Sequence, residues 1–351
     1  MIDTDQQLAS WLPRLRAAPW LAVDTEADSL HAYPEKICLI QLSLPGHDIL
    51  IDPLAPIDLG PLFDVFRGHE LLMHGADYDL RLLRRRHGFV AWRIFDTMLA
   101  ARLLGHTEFG LQNLLGKLLG VKLEKGSQKA NWARRPLTER MAEYARNDTR
   151  HLKPLVDLLR SELEACGRLA WHAETCARLI EECCAPPPPR DLEAWRVKGS
   201  TKLDRHAQAV LREIWKWREG QAIDANRPPF HVISSEAMIG LAAAAVRHHA
   251  HVRLPHHLSP ARSTSLRGVI RHALEIPSSE WPVTPRTLGR RLTDAQVKRA
   301  DALKVIRDHH AHRLGIDPSL IAPRGTLLAL AHDWNQAAAG LMKWQVELLR
   351  E

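Results

Sequence analysis

Long apolar runs are missing from this 351-residue chain. No stretch approaches the roughly 18 uninterrupted apolar residues of a membrane-spanning helix, which argues against a membrane protein. The amino terminus, Met1-Ile2-Asp3-Thr4-Asp5, lacks the basic region followed by an apolar one that marks a secretory leader, so the cytoplasm is the expected compartment. Cysteine is scarce: there are five, an odd number, with Cys183 and Cys184 adjacent and no paired C-x-x-C modules. That usage argues against a disulfide framework and a structural zinc site, and reduced thiols are expected. Wholesale disorder does not fit either, because 45% of residues are hydrophobic and 25% charged, as in ordinary globular chains. At roughly 100–200 residues per domain, the length accommodates two or three domains.

Charge is unevenly placed. Of the net charge of +7, residues 191–351 carry +8, with 24 Lys and Arg against 16 Asp and Glu, leaving −1 for residues 1–190. A basic half beside a near-neutral half with clustered carboxylates suggests a polyanion-holding module joined to a metal-holding one; a solvated basic surface is the plainer alternative.

The clearest boundary is the proline run Pro186 to Pro189 followed by Arg190, since consecutive prolines forbid helix and favour a stiff spacer. Before it, residues 21–25, 37–44, 48–51 and 70–74 read as strands, and 78–87, 97–105, 111–119 and 138–160 as helices. The first three strands follow one another through short turns, as a meander does. Strands first and α/β alternation afterwards imply a mixed sheet with helices on its faces. Beyond the prolines, 203–219, 235–249 and 294–312 all read as helix. Residues 231–242 can be laid over 320–331 as a faint repeat, which suits two small helical domains split near 277–285. The expected organisation is therefore a mixed α/β domain over 1–185, a linker over 186–190, and helical domains over 191–278 and 288–351.

Chemistry begins at Asp24 and Glu26. At i and i+2 on a strand the two carboxylates share a face, and they repel unless a cation sits between them. The next piece is the run 74–83, in which an apolar strand ends at Gly75 and a helix opens with Asp77 and Asp79 in its first turn. Asp77 suits the helix N-cap, which frees Asp79 for other work. The third is Tyr144 with Asp148, i and i+4 on one helix face, where a phenol can orient water beside a metal-bound carboxylate. Each fragment alone has a structural explanation: a polar strand end, acids answering a helix dipole, a surface tyrosine. Their order within one domain is more specific than any part.

The segments VDTEAD (23–28), LIQLS (39–43), HGADYDLRLL (74–83), FDTMLAARLL (95–104) and NWARRPLTERMAEYARNDTRHL (131–152) resemble ribonuclease D, a DEDD-type 3′→5′ exonuclease family of the subclass whose third motif carries tyrosine. The resemblance covers most of residues 1–185. It implies a ribonuclease-H-like mixed-sheet fold, with Asp24, Glu26, Asp79 and Asp148 as catalytic, metal-holding acids and Tyr144 as the water-orienting residue. The helical repeat resembles two HRDC domains, small all-α nucleic-acid-binding modules. His74, Gln128 and Trp132 are placed as nucleic-acid contacts; Trp132 could stack on a base or anchor its loop in the core. Three positions depart from the family pattern: Ala27 where a bulky aromatic is usual, Asn131 where Asp is usual, and His151 where an aromatic often lies.

Hydrolysis of a phosphodiester gathers negative charge on phosphorus, so carboxylates beside it make sense only with divalent cations between. Two Mg²⁺ or Mn²⁺ ions roughly 3.5–4 Å apart are expected. Asp24 would bridge them, Glu26 and Asp148 would hold the nucleophile-side ion, and Asp79 would support the other. Hard oxygen ligands suit these ions better than zinc. Tyr144 would orient water rather than act as a full base. Other features read as structural: Arg84-Arg85-Arg86-His87 as cations at a helix C-terminus, Asp96 as an N-cap, and the histidines at 248, 249, 251, 309, 310 and 312 as a polar, pH-sensitive face.

The expected function is a monomeric, cytoplasmic, metal-dependent 3′→5′ exoribonuclease, with RNA such as tRNA precursors as partner; the tRNA role is implied by the resemblance. Two rivals stand beside it: a DNA exonuclease of the same superfamily, with single-stranded DNA as its substrate, and a catalytically silent RNA-binding protein.

Overall fold

The computed structural model describes residues 1–123, 126–185, 193–248, 252–283 and 293–350. The proline linker expected at 186–190 and the histidines at 249 and 251 lie outside the described residues. Contacts divide the chain into two units: Met1–Ala27 with Ile37–Ala185 and Arg291–Glu351, and Asp28–Lys36 with Pro186–Arg290.

In the first unit α1 (Asp5–Ala17) leads into β1 (Leu21–Ala27), β2 (Ile37–Leu44) and β3 (His47–Ile51). Then come α2 (Gly60–Arg67), β4 (Glu70–Met73), α3 (Asp77–His87), β5 (Arg93–Asp96), α4 (Thr97–Leu103) and α5 (Leu111–Leu119). Three helices, α6 (Glu139–Arg150), α7 (Leu152–Ala165) and α8 (Leu169–Cys184), complete the segment. The strands form one mixed sheet in the order β3-β2-β1-β4-β5. The meander is antiparallel, whereas β1, β4 and β5 run parallel. This is the mixed-sheet α/β fold expected from the strand order.

Alternation along the strands sorts the two faces. Leu21 and Val23 of β1, Ile40 and Leu42 of β2, and Ile94 of β5 share a core with residues of α1, α2, α3 and α8. On the opposite face Ala22, Leu72 and Phe95 pack with α4, α5 and α7, while Leu39 and Leu50 pack beneath α6. Asp24 and Glu26 are in phase with Ala22, so they face α6.

Two details differ from the sequence reading. The helix expected over 138–160 is two helices, because His151 takes φ −101° and ψ 3° between α6 and α7. Asp77 is not the N-cap of α3: Ala76 occupies that position with no side-chain cap, and Asp77 pairs with Arg81 at 2.9 Å. The turn before α3 is held from elsewhere. Asp96 accepts from Gly75 N at 3.1 Å and Ala76 N at 2.8 Å while capping α4 through Met98 N and Leu99 N. One buried carboxylate thereby satisfies orphan donors of two helix starts, and Gly75, at φ 66°, makes the turn.

Every regular element described after residue 192 is helical. The second unit holds α9 (Arg205–Asp224), α10 (Pro229–Val232), α11 (Ser235–His248) and α12 (Pro260–Leu274). The carboxyl-terminal part of the first unit holds α13 (Asp294–Leu314), α14 (Pro318–Ile321), α15 (Arg324–His332), α16 (Trp334–Ala338) and α17 (Lys343–Arg350). The faint repeat is structural: a long helix, a four-residue helix and a further helix recur, with Ile233 and Ala322 buried at matching places. Residues from α13 to α17 share the apolar core of α4, α5 and α7, and Trp171 of α8 stacks on Trp344 of α17 at 5.0 Å. Among the described residues no helix is long and apolar enough to cross a membrane, and all five cysteines are free.

Candidate active site

Carboxylate oxygens of Asp24, Glu26 and Asp148 lie within 4.8 Å of one another. Two come from one face of β1 and the third from α6, which packs across that face. Three like charges this close favour protonation, and burial adds to the effect. Burial, followed by repulsion from Asp148 and Asp79, pushes Glu26 up to about 9. Burial and then Asp79 push Asp148 up to about 7. Asp24 is raised well above the usual carboxylate range by burial and by the charges of Asp79, Asp148 and Glu26.

Asp79 reaches the group from the other face of the sheet. It sits in the first turn of α3 and accepts a hydrogen bond from the Thr25 hydroxyl. Burial raises its pKa, the Thr25 bond opposes the rise, and the result is about 6. The structure thus brings the four predicted acids to one end of β1, three in a tight group and the fourth tied to the strand through Thr25.

Asp24, Glu26 and Asp148 open on a cleft of about 680 Å³ also lined by Thr25, His74, Gln112, Asn113, Leu123, Gln128 and Tyr144, whereas Asp79 is buried beneath it. Tyr144 precedes Asp148 by one helical turn. Its pKa is raised by burial first and then by Asp148, Glu26 and Asp24, so the phenol keeps its proton. A Cβ placed on Gly126 would overlap the Tyr144 ring. Glycine there lets the backbone lie flat against the phenol, a contact that residue spacing did not reveal.

Comparison with known proteins fits this geometry. A family model described as 3′-5′ exonuclease matches residues 1–164, and an HRDC domain model matches residues 207–252. The ribonuclease D of Pseudomonas paraeruginosa is 32% identical over 339 residues, covering 94% of this chain and 88% of that protein. The chain belongs to the ribonuclease D family. It carries that family's 3′→5′ exoribonuclease domain and a helical HRDC region. The ribonuclease D of Gluconacetobacter diazotrophicus is 33% identical over 249 residues, which are 70% of this chain and 63% of that relative, just under two thirds of its length. The crystal structure of Escherichia coli RNase D, described as an exoribonuclease involved in structured RNA processing, superposes with a TM-score of 0.77 at 26% identity, covering 99% of this chain and 95% of that one.

Among the contacts expected for nucleic acid, this ribonuclease D family chain places His74 and Gln128 on the cleft wall. Trp132 is different. It is 1% exposed and packs with Leu39, Leu50, Met141 and Ala145, its ring 6.0 Å from that of Tyr144. A buried ring has no free face for a base, so Trp132 anchors its loop in the core, the second of the two roles expected for it, and is a floor beneath the tyrosine. The reason is Arg135, which bonds Asp52 at 2.5 and 2.6 Å, Cys38 O at 2.7 Å and Trp132 O at 2.8 Å and so fastens the loop to the sheet.

The three departures from the family pattern sit nearby. Asn131 accepts from Ala133 N at 3.1 Å and shapes the same loop. His151 stands at the break between α6 and α7. Ala27 follows an irregularity in the β1–β2 register and packs partly against the core. Sequence reasoning missed Gln41, which lies directly opposite Asp24 on β2. It is fully buried, and neither of its amide atoms has a protein partner.

Proposed function

We propose that the protein removes nucleotides one at a time from RNA 3′ ends by divalent-cation-assisted hydrolysis, as a cytoplasmic monomer. Structured RNA such as tRNA precursors is the proposed substrate. The observation that carries the reading is the Asp24–Glu26–Asp148 group, whose oxygens lie within 4.8 Å at the wall of an open cleft. A fold has little reason to gather repelling carboxylates there unless a cation replaces their protons. The donor set fits, since carboxylate oxygens suit Mg²⁺ or Mn²⁺. Gln41, buried beside Asp24 without a protein partner, adds polar capacity that the protein alone leaves unused.

Asp24, Glu26 and Asp148 would hold the cations, with Asp79 alongside. When bound, such ions lower the pKa of water and neutralise charge gathering on the phosphoryl oxygens. Thr25 positions Asp79 by its hydroxyl, and α6 delivers Asp148 and Tyr144 together. The protonated Tyr144 phenol orients the attacking water by hydrogen bonding and does not take its proton. Support for RNA as substrate comes from the family and from the described role of the E. coli relative.

The test is digestion of 5′-labelled and 3′-labelled tRNA precursor, and of matching single-stranded DNA, with Mg²⁺, Mn²⁺ or EDTA. Early mononucleotide release from the 3′ label and a descending 5′-labelled ladder, abolished by EDTA, are expected. Tight RNA binding without cleavage contradicts the reading, and faster digestion of DNA moves it to DNA ends.

A further inference from the structure

His74 sits just past the end of β4, on the strand parallel to β1. The register pairs Leu21 with Leu71 and Ala22 with Leu72; carried forward two residues, it sets His74 level with Asp24. Alternation puts His74 in phase with Leu72, on the sheet face that Asp24 shares. The side chain lines the cleft beside the acids.

One ring nitrogen is already committed. Thr97 Oγ1 donates to Met73 O at 3.2 Å, and a carbonyl can only accept. The hydroxyl has one hydrogen, so it turns a lone pair toward His74 Nδ1, 2.8 Å away. Nδ1 therefore carries the ring hydrogen, and Nε2 of the neutral imidazole is an acceptor. Among the described residues Nε2 meets no hydrogen-bond partner, and it is not among the buried atoms left without one. Burial lowers the pKa of His74, only partly countered by Asp96, in keeping with a neutral ring.

An acceptor aimed into a nuclease cleft selects for a donor on the substrate. Phosphate oxygens offer none, and a neutral acceptor gains nothing from them. The exoribonuclease reading puts the scissile linkage at Asp24, and a strand held there would offer His74, at the same level, the hydroxyls of its terminal sugar as donors. We propose that His74 Nε2 accepts a hydrogen bond from a sugar hydroxyl of the 3′-terminal nucleotide, which makes His74 a specificity-determining residue. This rests on the exoribonuclease reading above.

Fluorine keeps a sugar's electronegative substituent but cannot donate a hydrogen. The experiment compares kcat/KM for release of a terminal nucleotide bearing both hydroxyls, a 2′-fluoro group or a 3′-fluoro group, using wild type, His74→Phe and His74→Gln. In wild type, one fluoro terminus is expected to react about tenfold more slowly, the worth of one neutral hydrogen bond; which of the two identifies the hydroxyl. His74→Phe is expected to bring that ratio to about one by slowing only the hydroxyl substrate. His74→Gln, which keeps an acceptor, is expected to restore part of it. Wild type that treats all three termini alike, or His74→Phe that keeps the wild-type ratio, overturns the proposal and leaves the exoribonuclease reading standing. Failure of wild type to release any nucleotide from RNA overturns both.

Discussion

Thr25 donates its hydroxyl hydrogen to Asp79 on the α3 side of the sheet. Thr25 stands between Asp24 and Glu26, and alternation turns it to the face on which α3 packs. A single hydroxyl thus ties the acid from one face of the sheet to the strand that carries the acids of the other. Both partners are buried, at 7% and 6% exposure, so the bond meets little competition from water.

Thr25→Val removes that donor with little change of shape. The expected result is a loss of roughly ten- to a hundredfold in single-turnover rate, since an unpaired buried carboxylate shifts and changes its charge state. Thr25→Ser, which keeps the hydroxyl, is expected to stay close to wild type. Circular dichroism checks that both fold, and a Thr25→Val rate equal to wild type counts against the positioning role.

The acid group also sets a pH dependence. Glu26, Asp148 and Asp79 have folded pKa values raised to about 9, 7 and 6, above their ordinary values near 4. Between those limits the folded state binds more protons than the unfolded one, so stability without cations falls as pH rises from about 4 through 9. Cations replace those protons. Melting curves in EDTA should therefore show a lower Tm at pH 8 than at pH 6, with Mg²⁺ or Mn²⁺ raising Tm more at pH 8. Asp24→Asn, which relieves repulsion, is expected to raise Tm in EDTA by a few degrees. A cation-induced gain in Tm that is larger at pH 6 contradicts this assignment.

Trp132 separates a supporting role from a stacking one. Trp132→Ala should cost roughly 3–5 kcal/mol of stability through the cavity it leaves, measured by urea unfolding. Trp132→Phe, which discards a buried N–H without a partner, should be much milder in stability and leave KM for RNA unchanged. A selective rise in KM for Trp132→Phe with unchanged stability would restore base stacking.

Shared faces were legible in the sequence because periodicity sets them, while the resemblance to ribonuclease D singled out the four acids. Asp24 and Glu26 share a face by the two-residue repeat of a strand, and Tyr144 and Asp148 by the turn of a helix. What joins distant segments was less legible. Nothing local shows that Asp96 serves the turn before α3 and leaves Asp77 to Arg81. Nor does spacing reveal that Arg135 reaches Asp52 and Cys38 O, pulling Trp132 into the core. The break at His151 is likewise invisible to periodicity, since both α6 and α7 are amphipathic and the apolar pattern runs on through it.

Gly126 offers a check on the packing around the phenol. Gly126→Ala places a methyl group where the Tyr144 ring lies, so the ring or the loop must move. The expected outcome is about a tenfold lower kcat with a change in Tm of no more than a few degrees. Wild-type kcat in this variant shows that the ring's placement is not critical.

Single-turnover cleavage of a 5′-labelled RNA at saturating Mg²⁺, comparing wild type with Asp24→Asn, is the most direct trial of the carboxylate group. A loss on the order of 10³-fold is expected in the variant, in line with removing a group that stabilises charge in the transition state, while its melting temperature in EDTA stays at or above that of wild type. Equal rates for the two proteins contradict the assignment of Asp24, Glu26 and Asp148 as the centre of hydrolysis.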